Sequence, residues 1–346
     1  MNFFKKTIFW VIVLAVVGGS FYIFDKETED EKAEVERQKR LFPFEPGDVT
    51  VFTITRKGVK AVEEGEEGEE SAVEEGEKKE QSIRAERLEG GDWVVVSPVD
   101  APGDGESIGT FLESVVGAKW DGVLFDEQTP EKLEEMSLED PYLRVEFVTG
   151  GGNATVRFGE KGPTHNVAYA LIDGDPRIFR IHSDIRADAD KEVYDIRDKT
   201  IFSFDTTKVK SFKVVWTGGE TIEVKHPAEG RWDTVGLPEG TTNFMRVMEL
   251  LIKFKNSDIK AFDSEAPESL EPYALEKPRV KIFLIDEKGV RHSILIGARD
   301  KKRRGIFSMR GGEEAVFVIE EEVFDAVPRG VTDFKVEEKE GEDEEG

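Results

Sequence analysis

Two stretches of the chain carry apolar positions at helical spacing. Ile108, Phe111, Leu112, Val115 and Val116 fall at i, i+3, i+4, i+7 and i+8, and Val247, Leu250, Leu251 and Phe254 repeat the pattern. Each set lays one apolar stripe along a helix. Asp104 stands before the first helix and Thr242 or Asn243 before the second, where a side chain is needed to accept from the free N–H groups. Around the helices, apolar and polar residues alternate in short runs. Residues 49–54, 83–88 and 93–97 open a first set of strands, and 144–148, 153–158, 167–172 and 178–181 continue it. Residues 280–285, 291–296, 306–310 and 316–319 read as the matching close of a second set. Short links between such runs predict antiparallel meanders with a helix on one face, an α+β fold.

The two halves align with each other. Trp93 in a strand is answered by Trp232 and Leu112 by Leu251, both 139 residues on. Leu138-Glu139-Asp140-Pro141 is answered by Leu275-Glu276-Lys277-Pro278 at 137, and Phe158-Gly159, Tyr169 and Ile178 by Ile296-Gly297, Phe307 and Val316 at 138. A constant order with almost constant spacing is the mark of a tandem duplication. Phe44 to Val49 resembles Phe204 to Val209 at 160, so the first copy holds about 21 extra residues near its start. The extra length falls on residues 61–80, where ten Glu stand against Lys78 and Lys79. The modules are expected at 41–203 and 204–335, with the acidic stretch inserted into a surface connection of the first.

The formal charge of −26 is concentrated. Residues 61–80 carry −8 and residues 336–346 carry −6. Both segments are rich in Glu and Gly and poor in large apolar residues, so they are expected to be disordered. An acidic surface repels nucleic acid and anionic headgroups, which excludes a nucleic-acid partner. The local exception is Arg299, Lys301, Lys302, Arg303 and Arg304, read either as a charged connection between strands or as a docking patch for an acidic partner.

At the N-terminus, Lys5 and Lys6 precede an uncharged apolar run over 8–24, with Trp10 and Tyr22 near its ends and Asp25, Glu27, Glu29, Asp30 and Glu31 beyond it. Seventeen residues are at the short end for a spanning helix. The positive flank places residues 1–7 in the cytoplasm and everything after a charged stalk at 25–40 on the far side. Phe21, Tyr22, Ile23 and Phe24 continue past the small residues Gly18 and Ser20, which favours a retained anchor over a cleaved signal peptide.

The search for chemistry is largely negative. The chain has no Cys, which removes disulfides, thiolate metal sites and cysteine nucleophiles. No phosphate-binding glycine loop, nucleophile elbow or paired-histidine zinc motif occurs. His165, His182, His226 and His292 share no helical spacing. His182-Ser183-Asp184 has triad residue types, but sequence neighbours point apart and form no relay. Asp188, Asp190 and Glu192 alternate as in a calcium loop, yet Val193 and Lys199 stand where its Gly and Glu belong. Trp93 and Trp232 occupy equivalent positions, as core residues of a repeated module do. No catalytic, cofactor or metal residue is assigned and no cofactor is expected.

Leu41-Phe42 with Phe44, the Trp93 strand, Asp104 before its helix, Leu138 with Pro141, the Phe158-Gly159 turn and Ile196-Arg197-Asp198-Lys199 together resemble the family called domain of unknown function 4340. In the second copy Val331-Thr332-Asp333 stands where Ile196 to Lys199 would recur. The resemblance implies a bacterial envelope protein often met beside ABC transporter components, with no established enzymatic activity. The expected protein is thus a single-pass inner-membrane anchor carrying two periplasmic modules. Its expected task is non-catalytic: accessory or partner-binding work for an ABC-type transport or export system. A membrane-tethered cell-wall or polysaccharide-binding protein or hydrolase is the alternative.

Overall fold

The computed structural model describes residues 38–59, 79–162, 164 and 166–336. The anchor expected at 8–24, the stalk up to 37, the acidic stretch from 60 to 78 and the tail from 337 lie outside them. Among the described residues no helix is long and apolar enough to cross a membrane. The chain divides into two compact units between Arg197 and Asp198, six residues before the expected boundary at 203/204. Ile201 and Phe202 are buried in the second core, as Leu41 and Phe42 are in the first, so the start of each unit is set by the same apolar pair.

In the first unit the strands are β1 (Val49–Val59), β2 (Lys79–Arg87), β3 (Trp93–Ser97), β4 (Ala101–Pro102), β5 (Gly122–Phe125), β6 (Leu143–Thr149), β7 (Gly152–Lys161), β8 (Val167–Ile172) and β9 (Ile178–His182). They form one sheet in the order β4-β3-β2-β1-β6-β7-β8-β9-β5. In the second unit they are β10 (Val209–Trp216), β11 (Thr221–Ala228), β12 (Arg231–Thr234), β13 (Ala261–Ser264), β14 (Val280–Asp286), β15 (Arg291–Asp300), β16 (Gly305–Arg310) and β17 (Val316–Glu320). Their order, β12-β11-β10-β14-β15-β16-β17-β13, is that of the first sheet without β4. Every strand pairing is antiparallel, so the fold is α+β and rich in sheet.

The duplication holds at the level of register. Phe52 opposes Phe147 and Phe212 opposes Leu284, and each pair of strands slips at the same place, between Val49 and Val51 and between Val209 and Ser211. Phe158 opposes Ala170 and Ile296 opposes Ser308, each followed by a bulge before the next pair. Phe158-Gly159 is therefore a bulge inside β7, where the sequence suggested a turn. The match also corrects the alignment near the C-terminus. Asp104 N–H donates to the Ile196 carbonyl (2.8 Å) and Asn243 N–H to the Phe334 carbonyl (2.7 Å). Phe334-Lys335, not Val331-Thr332-Asp333, is thus the counterpart of Ile196-Arg197.

Each sheet is covered by its long helix. Asp104 caps Gly105–Val116 by accepting from Glu106 and Ser107 N–H, and Asn243 caps Phe244–Asn256 by accepting from Arg246 N–H. The stripes Ile108, Phe111, Leu112, Val115, Val116 and Val247, Leu250, Leu251, Phe254 are buried. Phe111 lies 4.9 Å from the ring of Phe52, and Trp93 packs on Phe52 at 5.4 Å. On the other face a smaller cluster forms around Leu138, Leu171 and Ile178, repeated around Leu275, Met309 and Val316.

β1 and β2 run past their expected ends. Val59 pairs with Lys79, so Lys79 and Glu80 belong to β2, and the connection leaves and re-enters the hairpin at paired positions.

Candidate functional site

One place where the two units differ is where β1, β6, β7 and the helix Ser183–Ala189 of the first meet. A groove of about 630 Å³ opens there, lined among others by Lys57, Glu80, Asp140, Tyr142, Glu160 and Arg186. Lys57 at the end of β1 forms an ion pair with Asp140. Glu80 on β2 faces Arg144 at 3.4 Å. Tyr142, just before β6, leaves 37% of its surface exposed. Arg186 donates from Nε to the Gly159 carbonyl at 2.9 Å, and its guanidinium sits 5.8 Å from the centre of the Tyr142 ring, within cation–π range.

Beside Lys57 on β1 is Arg56, only 6% exposed. It meets Asp190 at 3.5 Å and Glu192 at 3.4 Å, both long for ion pairs, and its Nε is buried without a partner. Asp190 is the C-cap of the helix that carries Arg186. A buried guanidinium with loose partners and an orphan donor costs stability.

The second unit shows what the same fold does without that cost. By register, Trp216 takes the place of Arg56, Arg279 that of Tyr142 and Phe324 that of Arg186. Trp216 donates from Nε1 to the Pro328 carbonyl at 2.7 Å and meets Phe324 edge-on at 5.8 Å. Arg279 lies 4.4 Å over the Phe324 ring, and Arg329 lies 4.0 Å over Trp216. Cation–π packing with a satisfied indole thus fills in the second unit what the first leaves open.

The residues raised by sequence reasoning go elsewhere. Trp93 and Trp232 are buried, with Arg87 over the first at 4.8 Å and the His226 ring stacked on the second at 4.4 Å. His182 accepts from Asp184 N–H and caps the helix Ser183–Ala189, a local turn with no relay geometry. His292 sits in β15 opposite Leu284, and His165 lies outside the described residues. The acidic alternation is absorbed by structure: Asp188 accepts from the Ser114 hydroxyl at 2.5 Å, and Asp190 and Glu192 serve Arg56. Among the described residues no group of three His, Asp or Glu side chains converges as metal ligands do.

The basic run forms the turn between β15 and β16. Buried Asp300 accepts from Lys302 and Arg303 N–H, and the Arg303 side chain reaches Asp263 at 2.6 Å and Asp300 at 2.9 Å. Burial draws the Arg303 pKa down, but these bonds more than reverse it. Burial and then a hydrogen bond to Asp263 push the Tyr273 phenol up. Arg299 meets Glu321 at 3.6 Å. The turn is built around its own acids, which fits a structural connection.

Arg56, Lys57, Tyr142 and Arg186 were not singled out by sequence reasoning. The signal was present in the repeat: reading the copies against each other puts charged or polar groups opposite Trp216, Thr217 and Phe324.

The profile of a domain of unknown function (DUF4340) matches residues 93–246 and again 232–338. The chain belongs to this family, and it carries the domain in tandem: both matches begin on the equivalent strand tryptophans, Trp93 and Trp232. No curated protein and no solved structure matches it.

Proposed function

We propose that the chain is a non-catalytic, membrane-anchored module of the bacterial envelope. Residues 8–24 are its single-pass anchor in the inner membrane, the two units lie in the periplasm, and the chain is an accessory subunit that binds a component of an ABC-type transport or export system. The groove of the first unit is its contact site. One observation carries this reading: a single fold occurs twice in the chain, and where the first copy has the polar groove beside a buried Arg56 with an unpaired Nε, the second has Trp216 and Arg279 packed on Phe324. Departures from local stability concentrate where function requires them. The fixed cations, acids and exposed Tyr142 of the groove suit recognition of a polar partner surface.

The test is a photoreactive residue placed in cells at Glu160 on the groove, or at its counterpart Ala298. An adduct with a transporter subunit from position 160 and none from 298 is expected. Absence of any adduct from position 160 contradicts the reading.

A further inference from the structure

We infer that the groove of the first unit is a receptor for a single carboxylate carried on a peptide, with Arg186 as the group that grips it. This deepens, and rests on, the reading of the groove as a contact site. The Nε bond to the Gly159 carbonyl and the Tyr142 ring beneath fix the guanidinium plane. Both terminal nitrogens of Arg186 remain without a partner among the described residues. A planar fork held in advance by its own Nε and by an aromatic face is the arrangement that takes a carboxylate with two parallel hydrogen bonds, and a lysine cannot reproduce it.

The rest of the lining restricts the anion. Lys57 is already matched to Asp140 and Glu80 faces Arg144, while Glu160 stands exposed on the rim. With those pairs matched, Arg186 is, among the described residues, the one cation of the lining left to meet an anion, and Glu160 stands on the same rim, so a dianion such as phosphate brings a second charge with no partner. A monoanion flanked by neutral amides is matched by the one guanidinium. The exposed ring of Tyr142 supplies an apolar surface for the residue that carries the carboxylate. The second unit cannot act in the same way, since Phe324 stands where the fork would be and Arg279 lies on its ring.

The experiment uses the full chain in detergent micelles, labelled with 15N, and reads the Arg186 Nε–H resonance and backbone amides. Four probes are titrated: N-acetyl-trialanine with a free C-terminus, N-acetyl-Ala-Glu-Ala-amide, N-acetyl-trialanine amide and inorganic phosphate. One or both carboxylate peptides shift the Arg186 signal saturably, and the amide and phosphate do not. A response to the first alone assigns the carboxylate to a chain end, and to the second alone to an acidic side chain. Arg186→Lys, with its other amides unmoved, binds at least about ten-fold more weakly. The inference is overturned if the amide or phosphate matches the carboxylates, if neither carboxylate binds, or if Arg186→Lys binds like the unchanged protein. A Glu160 adduct that survives in Arg186→Lys overturns it while leaving the partner reading intact. Carboxylate binding without any adduct supports it and removes that reading.

Discussion

Gly159 packs directly on the main-chain carbonyl of Met136, leaving no room for a side chain. A Cβ at Gly159 would fall on that oxygen and against Leu138, and Gly297 repeats the contact with the carbonyl of Tyr273 and with Leu275. The bulge in β7 and its copy in β15 thus press the sheet against the link from β5 to β6 and against its copy from β13 to β14. Gly159→Ala and Gly297→Ala are each expected to destabilise by about 1–3 kcal/mol or more, since main-chain atoms have to move. Urea unfolding of each variant checks this. A midpoint unchanged in both contradicts the packing.

The helices, most strands and the duplication were legible because each rests on local periodicity or on repeated residues such as Trp93 and Trp232. β5 and β13 were not. They are four-residue edge strands whose partners, β9 and β17, lie some 55 residues away, and Gly122-Val123-Leu124-Phe125 shows no alternation of its own. The unit boundary moved because Ile201 and Phe202 read as the end of one module until their burial in the second core is seen. The site was hidden for a different reason. Arg56 and Arg186 are unremarkable charges in a chain with 48 basic residues, and only their register against Trp216 and Phe324 gives them meaning.

The core of each unit hangs on its helix, and the acidic connection is expected to be dispensable for it. Leu112 and Leu251 are each 1% exposed, so Leu112→Ala and Leu251→Ala are expected to cost about 2–5 kcal/mol. Replacing residues 60–78 by the four-residue link 217–220 of the second unit joins the already paired ends Val59 and Lys79. That change is expected to alter stability by little beyond the loop-closure contribution. Thermal unfolding of the three variants compares them. A loss on shortening as large as that of Leu112→Ala contradicts this account of the connection.

Asp205 begins the second unit's first turn, and the Thr207 hydroxyl, the Thr207 N–H and Lys208 hold its carboxyl down to about 2. A depressed folded value means that the carboxylate favours the fold above its unfolded value near 4, and that this contribution is lost as pH falls from about 4 through about 2. A 13C titration of the Asp205 carboxyl is expected to show its midpoint near 2. Thr207→Ala should raise it toward the ordinary range. A midpoint that does not respond to Thr207→Ala contradicts the assigned cause.

The proposed topology makes a separate prediction. A reporter fused after residue 334 is expected to be active only in its periplasmic form, because Lys5 and Lys6 hold the other end in the cytoplasm. A cytoplasmically active fusion contradicts it.

The most direct test of the groove as a partner site transplants the second unit's solution into the first. Tyr142→Arg with Arg186→Phe installs the Arg279–Phe324 pair at the equivalent positions and fills the groove by cation–π packing. Melting of the double variant controls for folding, and the photoreactive residue at Glu160 reports contact in cells. The account predicts a melting temperature at or above that of the unchanged protein and loss of the transporter adduct. An adduct of undiminished yield from a folded double variant would contradict it.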